Sequence, residues 1–283
     1  MFGNYHTTKE TKTPDYNIRK DVMVVGEYRE VFQRKEIKYL LDARQFTEIK
    51  KYLDTMAQTD QYGISRINNI YFDTKDYMLI RRSMEKPLYK EKLRLRTYGN
   101  TKDDTNAFIE IKKKYAGIVY KRRISGRYDL FHDYLTGKEA DIGSSQIAKE
   151  IESFIKIYGE LVPAMSICYD RMAMAGIEDP NFRVTFDNNI QWNAHCRDLR
   201  QVKEGRQLLK PGQYLMELKV GDAMPIGLAG KLSELEIFPT SFSKYGAGYT
   251  EMMMGRAAAF AASAVQERNR FCRRMKGVTA YVG

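Results

Sequence analysis

Cysteine is scarce. Cys168, Cys196 and Cys272 are far apart and odd in number, a spacing that supports neither a disulfide framework nor a paired-cysteine zinc site and points to reduced thiols in a cytoplasmic chain. The three histidines, His6, His132 and His195, share no ligand spacing, and His195 beside Cys196 is an isolated pair in a polar segment. Long apolar runs are missing: no stretch approaches the roughly 20 residues a membrane span requires, and the N-terminus has no core of signal-peptide length. Met252 to Val265 comes nearest, but Arg256 interrupts it. It reads as a packed helix with Met253, Ala257, Phe260, Ala261 and Ala264 on one face. The common catalytic signatures are absent too, among them the glycine-rich phosphate loop, the dinucleotide glycine fingerprint, the paired-histidine metalloprotease helix and the serine elbow.

What the chain has instead is charge, arranged in a pattern. Its 283 residues are 43% hydrophobic, enough for a core, and its net charge is +11. That excess calls for an acidic partner: nucleic acid, an anionic membrane surface or phosphate-rich small molecules. Charged residues, mostly basic, recur at every second position in Arg34-Glu36-Lys38, Lys92-Arg94-Arg96, Glu110-Lys112-Lys114, Lys121-Arg123 and Glu217-Lys219. Arg183 and Asp187, spaced by Thr185, extend the pattern. Period two is strand geometry, so each set shares one face of a sheet. The alternate positions are mostly apolar: Ile37 and Tyr39, Leu93 and Leu95, Ile109 and Ile111, Val184 and Phe186, Leu218 and Val220. An ordinary solvent face interleaves both signs, and like charges on neighbouring strands repel. Repetition of one sign therefore places a polyanion among them.

The rest of the chain supplies the frame. Residues up to about Tyr28 read as a polar arm, and residues 29–283 as one domain, without repeat, linker or composition break. The expected strands are Val31–Leu41, Ile64–Phe72, Tyr89–Tyr98, Ala107–Lys114, Ile118–Ser125, Ala164–Ala175, Phe182–Ile190 and Tyr214–Val220. Helices are expected after Asp42, a plausible N-cap, over Ser145–Tyr158, over Ile226–Glu236 and after Tyr249. The fold class is α+β. It is expected to be a closed or nearly closed eight-stranded antiparallel β-barrel, with charges lining the lumen and helices packed outside.

Such a lumen suits phosphoryl transfer, which needs phosphate oxygens neutralised, the reacting groups aligned and usually a divalent cation. Arg94 and Arg96 offer forks, Lys38 and Lys112 point charges, and Lys219 alternates with Glu217 in the same lining. The carboxylates among these bases are Glu36, Glu110, Asp187 and Glu217. Glu110 and Asp187 suit salt bridges as well as metal. Glu217 is the stronger metal candidate.

In order along the chain, RKEIKYLL from Arg34, KLRLR from Lys92, FIEIKKK from Phe108, YKRRI from Tyr120, YDRMA from Tyr169, FRVTFD from Phe182, LMELKV from Leu215 and FSKY from Phe242 resemble the motif series of the vacuolar transporter chaperone (VTC) domain. That domain belongs to the triphosphate tunnel metalloenzymes. The resemblance spans about Val31 to Glu251. It implies a polyphosphate polymerase that moves the terminal phosphate of ATP onto a growing chain inside a β-tunnel, with manganese or magnesium. It further implies phosphate binding by Lys38, Arg94, Arg96, Lys112, Lys121, Arg123, Arg171, Arg183 and Lys244, and a metal held by Glu217, with Glu36 and Asp187 as further candidates. The hydrolytic branch typically opens with Glu-x-Glu-x-Lys, whereas this chain has Arg34-x-Glu36-x-Lys38, which favours the polymerase branch.

Two rivals remain at this level. The same tunnel acting on water would be an inorganic or nucleoside triphosphatase, and a non-catalytic binder of polyphosphate or nucleic acid would need the bases without Glu217. Nucleic acid would call for aromatic platforms among the basic positions. Tyr71, Tyr98 and Tyr120 could serve, but with 20 tyrosines in the chain such placements are cheap. The expected partners are thus ATP and polyphosphate, not nucleic acid; peripheral membrane association and oligomeric state stay open.

Overall fold

The computed structural model describes residues 35–116, 118–221 and 223–259. The expected N-terminal arm, Arg34 and the far end of the expected C-terminal helix lie outside them. Strands form where the alternation predicts them and run in chain order as β1 (Lys35–Leu41), β2 (Ala57–Thr74), β3 (Tyr89–Tyr98), β4 (Asn106–Tyr115), β5 (Ile118–Arg127), β6 (Leu161–Gly176), β7 (Arg183–Asn193), β8 (Arg206–Gln207), β9 (Tyr214–Val220) and β10 (Pro239–Thr240). They make one antiparallel sheet in the order β10-β1-β9-β7-β6-β2-β3-β4-β5, with β8 paired to β7.

The expectation of a closed or nearly closed eight-stranded antiparallel barrel is met in part: the sheet is antiparallel, and it differs in two respects. Two further strands, β8 and β10, are only two residues long, too short to leave a periodic signal. Among the described residues, no ladder joins the two ends of the sheet. At one end, β10 opens with Pro239, which has no N–H to continue the pairing. At the other, β5 carries Lys121, Arg122, Arg123 and Arg127, charges that blunt an edge against further strands. The sheet still curls strongly. Lys112 Nζ of β4 lies 3.1 Å from Glu36 Oε2 of β1, although five strands separate β4 from β1 in the sheet. Side chains, not hydrogen-bonded backbone, meet across the concave face.

Helices α1 (Ala43–Leu53), α2 (Met78–Met84), α3 (Tyr128–Leu135), α4 (Gln146–Tyr158) and α5 (Ile226–Glu234) are joined by a sixth, α6, over residues 244–259. Asp42 caps α1 through a reciprocal box with Gln45, and Ser145 Oγ accepts from Ala148 N to start α4. On the convex side, Leu93, Leu95, Ile109 and Ile111 are buried under Phe131 of α3 and Ile151 and Phe154 of α4. Tyr39, Val184, Phe186 and Leu218 are buried under Ile49 and Leu53 of α1 and Leu228 and Leu232 of α5. Burying each large side chain contributes about 1.5–3 kcal/mol, so this layer holds the curl in place.

α6 departs from the expectation of helices outside only. It packs on the concave side, where Tyr245, Tyr249 and Met252 join Ile67, Tyr71, Met165, Ile167 and Tyr169. Its buried stripe is therefore not the one predicted. Met253 is 41% exposed, Ala257 is exposed, and Phe260, Ala261 and Ala264 lie outside the described residues. Gly248 permits the close approach, since a Cβ there would sit 2.6 Å from Met165 Sδ. Among the described residues, no helix is long and apolar enough to cross a membrane. Cys168 and Cys196 are buried and free; Cys272 is outside the described range.

Candidate active site

Strand register, set by the apolar face beneath, delivers the charged side chains to the concave face in three groups. In the first, Lys38 of β1 stands opposite Glu217 of β9, and Glu36 opposite Lys219. Glu217 Oε1 lies 3.1 Å from Lys219 Nζ and Oε2 lies 3.8 Å from Lys38 Nζ. In the second, Arg94 of β3 faces Glu110 of β4. Glu110, 1% exposed, is held by Arg94 Nε at 2.5 Å, Lys121 Nζ at 2.6 Å and Arg96 Nε at 3.6 Å. In the third, Arg171 of β6 grips Asp187 of β7 bidentately at 2.6 and 2.7 Å, and Lys244 of α6 adds a contact at 2.5 Å.

Side chains that the alternation did not single out fix these groups. Tyr71 OH accepts from Arg94 Nη1 at 3.2 Å and its ring stacks on Tyr245. Asn69 Oδ1 and Tyr169 OH accept from Arg96 at 2.9 and 3.2 Å. The Tyr169 ring also lies under Arg171 and Lys244. The start of α6 closes one side: Lys38 Nζ donates to Phe242 O at 2.8 Å, Lys92 Nζ to Ser243 Oγ at 3.0 Å, and Tyr245 OH to the buried Asp73 at 2.8 Å. The FSKY segment carries this anchoring in Phe242, Ser243 and Tyr245, beside the lysine that its resemblance singles out.

The site thus brings together Lys38, Lys92, Arg94, Arg96, Lys112, Lys121, Arg171, Lys219 and Lys244 with Glu36, Glu110, Asp187 and Glu217. Nine cations face four carboxylates. Arg123 and Arg183 are exposed and make no ion pair with a described residue. Arg123 lies over the Phe108 ring and Arg183 stands opposite Lys219 at the rim.

Protonation follows from this crowding. Burial pushes the Glu217 and Glu110 carboxyls up, but the surrounding cations outweigh it and hold both well below the usual carboxylate range. Burial, reinforced by Arg94 and Arg96 against the pull of Glu110, pushes the Lys121 ammonium down to about 7. Lys92 falls to about 8 through burial and the neighbouring Lys90, Lys112 and Lys38. Tyr71 falls to about 8 because Arg94, Lys92 and Arg96 outweigh its burial.

A divalent cation would have to find oxygens here. The described residues contain no group of three or more His, Cys, Asp or Glu able to hold one, and two of the four carboxylates are committed. Arg171 donates to both oxygens of Asp187 and Lys244 to one of them, so this carboxylate stands as a counter-ion to two cations. Glu110 is likewise enclosed by three cations. Glu217 and Glu36, diagonal neighbours across β9 and β1, are left. Thr185 Oγ1, on the residue opposite Glu217, is buried without a hydrogen-bond partner. Two carboxylates beside an orphaned hydroxyl fit magnesium or manganese, which dehydrate reluctantly and are usually bound by one or two carboxylates with substrate phosphates supplying the rest.

Because Asp187 is a buried counter-ion, Asp187→Asn is expected to lower the free energy of unfolding by about 2–3 kcal/mol. The metal concentration for half-maximal activity should not change. Urea titration and metal titration of the same preparation check the two halves.

A family model described as the VTC domain matches residues 33–253. Subunit 4 of the vacuolar transporter chaperone complex of Schizosaccharomyces pombe is 26% identical over 194 residues, 58% of this chain and 27% of that protein. The chain therefore spans about a quarter of that relative's length. Among solved structures, a candidate adenylate cyclase from Bacillus halodurans aligns with a TM-score of 0.46 at 12% identity, over 74% of this chain and 95% of that one. A candidate adenylyl cyclase from Hippeastrum, described as having a dominant triphosphatase activity, aligns with a TM-score of 0.43 at 14% identity, over 76% and 95%.

Proposed function

The chain belongs to the VTC domain family, and on that premise we propose that it is a polyphosphate polymerase working in the cytoplasm on ATP and polyphosphate. The observation that carries the proposal is the excess of nine cations over four carboxylates on one concave face. An excess of this size, in a buried setting, is balanced by a bound polyanion. In the reaction the bond between the β- and γ-phosphates of ATP breaks, a new phosphoanhydride bond forms to the terminal oxygen of the chain, and ADP leaves; no net proton is consumed.

Arg94 and Arg96 are the groups suited to the charge that spreads over the transferring phosphoryl, because both are fixed in advance by Glu110, Tyr71, Asn69 and Tyr169. Lys38, Lys112 and Arg171 neutralise flanking phosphates, Lys121, Lys219 and Lys244 bind the chain, and Arg123 and Arg183 serve the rim. Glu217, with Glu36, would hold manganese or magnesium, which when bound would supply charge neutralisation for the phosphates. Incubation with ATP and manganese is expected to yield acid-insoluble polyphosphate, with orthophosphate a minor share of the ATP consumed. Stoichiometric orthophosphate without polymer would make the protein a triphosphatase instead.

The lysines give the proposal a pH signature. An anion favours the charged ammonium, so affinity is constant below the free protein's pKa and falls above it. Tripolyphosphate binding should therefore be flat up to about pH 7 and weaken as first Lys121 and then Lys92 lose their protons. Lys121→Met should remove the first part of the decline. Calorimetric titration at constant ionic strength reads both.

A further inference from the structure

The basic lining does not stop at the rows described above. Along the ribbon of β3, β4 and β5, Lys92, Lys112 and Lys121 lie in one cross-strand row. One two-residue step further, about 7 Å, Lys90 stands directly opposite Lys114 on the same face. Lys86 lies nearby in the connection before β3. Burial, then Lys114 and Lys86, push the Lys90 ammonium down. Among the described residues its Nζ donates to the Ser83 carbonyl, at 3.1 Å, and to no carboxylate. None of the three lysines makes an ion pair with a described residue.

The reverse face of the same ribbon is an internal control. There, Lys113 and Arg122 are met by Glu150 of α4 at 3.9 and 4.0 Å, and Glu91 accepts from Tyr89 and Tyr158. Signs are interleaved on that face, as on an ordinary protein surface. On the concave face the inner row still meets Glu36 and Glu110, but in the outer row Lys90 and Lys114 stand directly opposite one another without a carboxylate among the described residues, an arrangement that destabilises a sheet unless an anion lies between them. The two rows follow one another along the strand direction, so the fitting anion is an extended one.

We propose that Lys86, Lys90 and Lys114 form an outlet that holds the part of a linear phosphate chain already displaced from the reacting end. The proposal rests on the polymerase reading of the lumen. A growing chain would be gripped at two places, the lumen and the outlet, so a long chain would dissociate more slowly than a short one and the products would be long.

The test compares binding of tripolyphosphate and of long-chain polyphosphate to the wild type, to Lys90→Ala/Lys114→Ala and to Lys51→Ala/Lys156→Ala. The last pair removes the same charge from exposed positions on α1 and α4. The outlet variant is expected to lose long-chain affinity by on the order of tenfold, having lost two phosphate contacts, with tripolyphosphate affinity unchanged. Its products should be shorter at an unchanged rate of ADP release. Equal long-chain affinity in the outlet variant and the wild type, or an equal loss in the surface control, would overturn the outlet while tripolyphosphate binding and ATP turnover kept the lumen reading intact. Failure of the wild type to bind tripolyphosphate at all would overturn the lumen reading itself.

Discussion

Arg94→Ala and Arg96→Ala are each expected to lower ATP turnover by on the order of a hundredfold or more, because each removes a fixed donor from the charge that builds up during transfer. Arg94 is held by Glu110 and Tyr71, and Arg96, 5% exposed, by Asn69 and Tyr169, so neither has to reorganise as the reaction proceeds. The fold should survive. Glu110 keeps Lys121 and the remaining arginine when one is lost. The loss should fall on kcat more than on KM for ATP, since other cations still bind the ground state. Arg94→Lys should recover only part of the rate, as a point charge lacks the fork. Steady-state ADP release beside a thermal melt decides the matter. A large fall in melting temperature with kcat proportional to folded protein would make the arginines structural.

The strands were legible because one physical pattern encodes both of their faces. In β3 and β4 the residues between the charges, Leu93, Leu95, Ile109 and Ile111, are all at most 1% exposed; alternation that strict fixes strand, face and register together. α1 and α4 were legible from a cap followed by an apolar stripe. α2 was not, because seven residues cannot display a helical period. It is specified from outside by Asp73, whose carboxylate accepts from Leu79 N and Ile80 N. Closure was illegible for a different reason. Whether a sheet's ends meet depends on accumulated twist and on its edge strands, and no residue pattern within a strand records either.

The charged site was legible as a set of side chains but not as a set of partners. Period two could say that Asp187 shares a face with Arg183; it could not say that Arg171 and Lys244, from β6 and α6, would take both its oxygens. Tyr71, Tyr169 and Asn69 escaped for a related reason. They lie on strands whose concave face is partly apolar, where α6 covers Ile67 and Ile167, so the alternation of charge breaks down there. Arg123 and Arg183 show the converse, since register alone places them with the others while exposure sets them at the rim.

Glu217→Gln is expected to abolish metal-dependent turnover, and the geometry says why this carboxylate and not Asp187 or Glu110. Lys219 and Lys38 hold Glu217 ionised across any working pH, yet neither encloses it: Lys38 Nζ stays 3.8 Å away and donates to Phe242 O instead. A charged oxygen is thus available beside Glu36 and the unpartnered Thr185 hydroxyl. The amide is isosteric but neutral and binds a hard cation far more weakly. Binding of metal-free tripolyphosphate should persist or tighten slightly, because the substitution removes a negative charge from the lining. Excess manganese should not restore turnover, and uptake of manganese by the protein with tripolyphosphate, followed by electron paramagnetic resonance, should be lost in parallel. Glu36→Gln should act in the same direction but less, raising the manganese needed for half-maximal activity, because Lys112 at 3.1 Å already occupies one of its oxygens. Turnover by Glu217→Gln at the wild-type metal optimum would reduce Glu217 to a counter-ion of Lys38 and Lys219 and move the metal elsewhere.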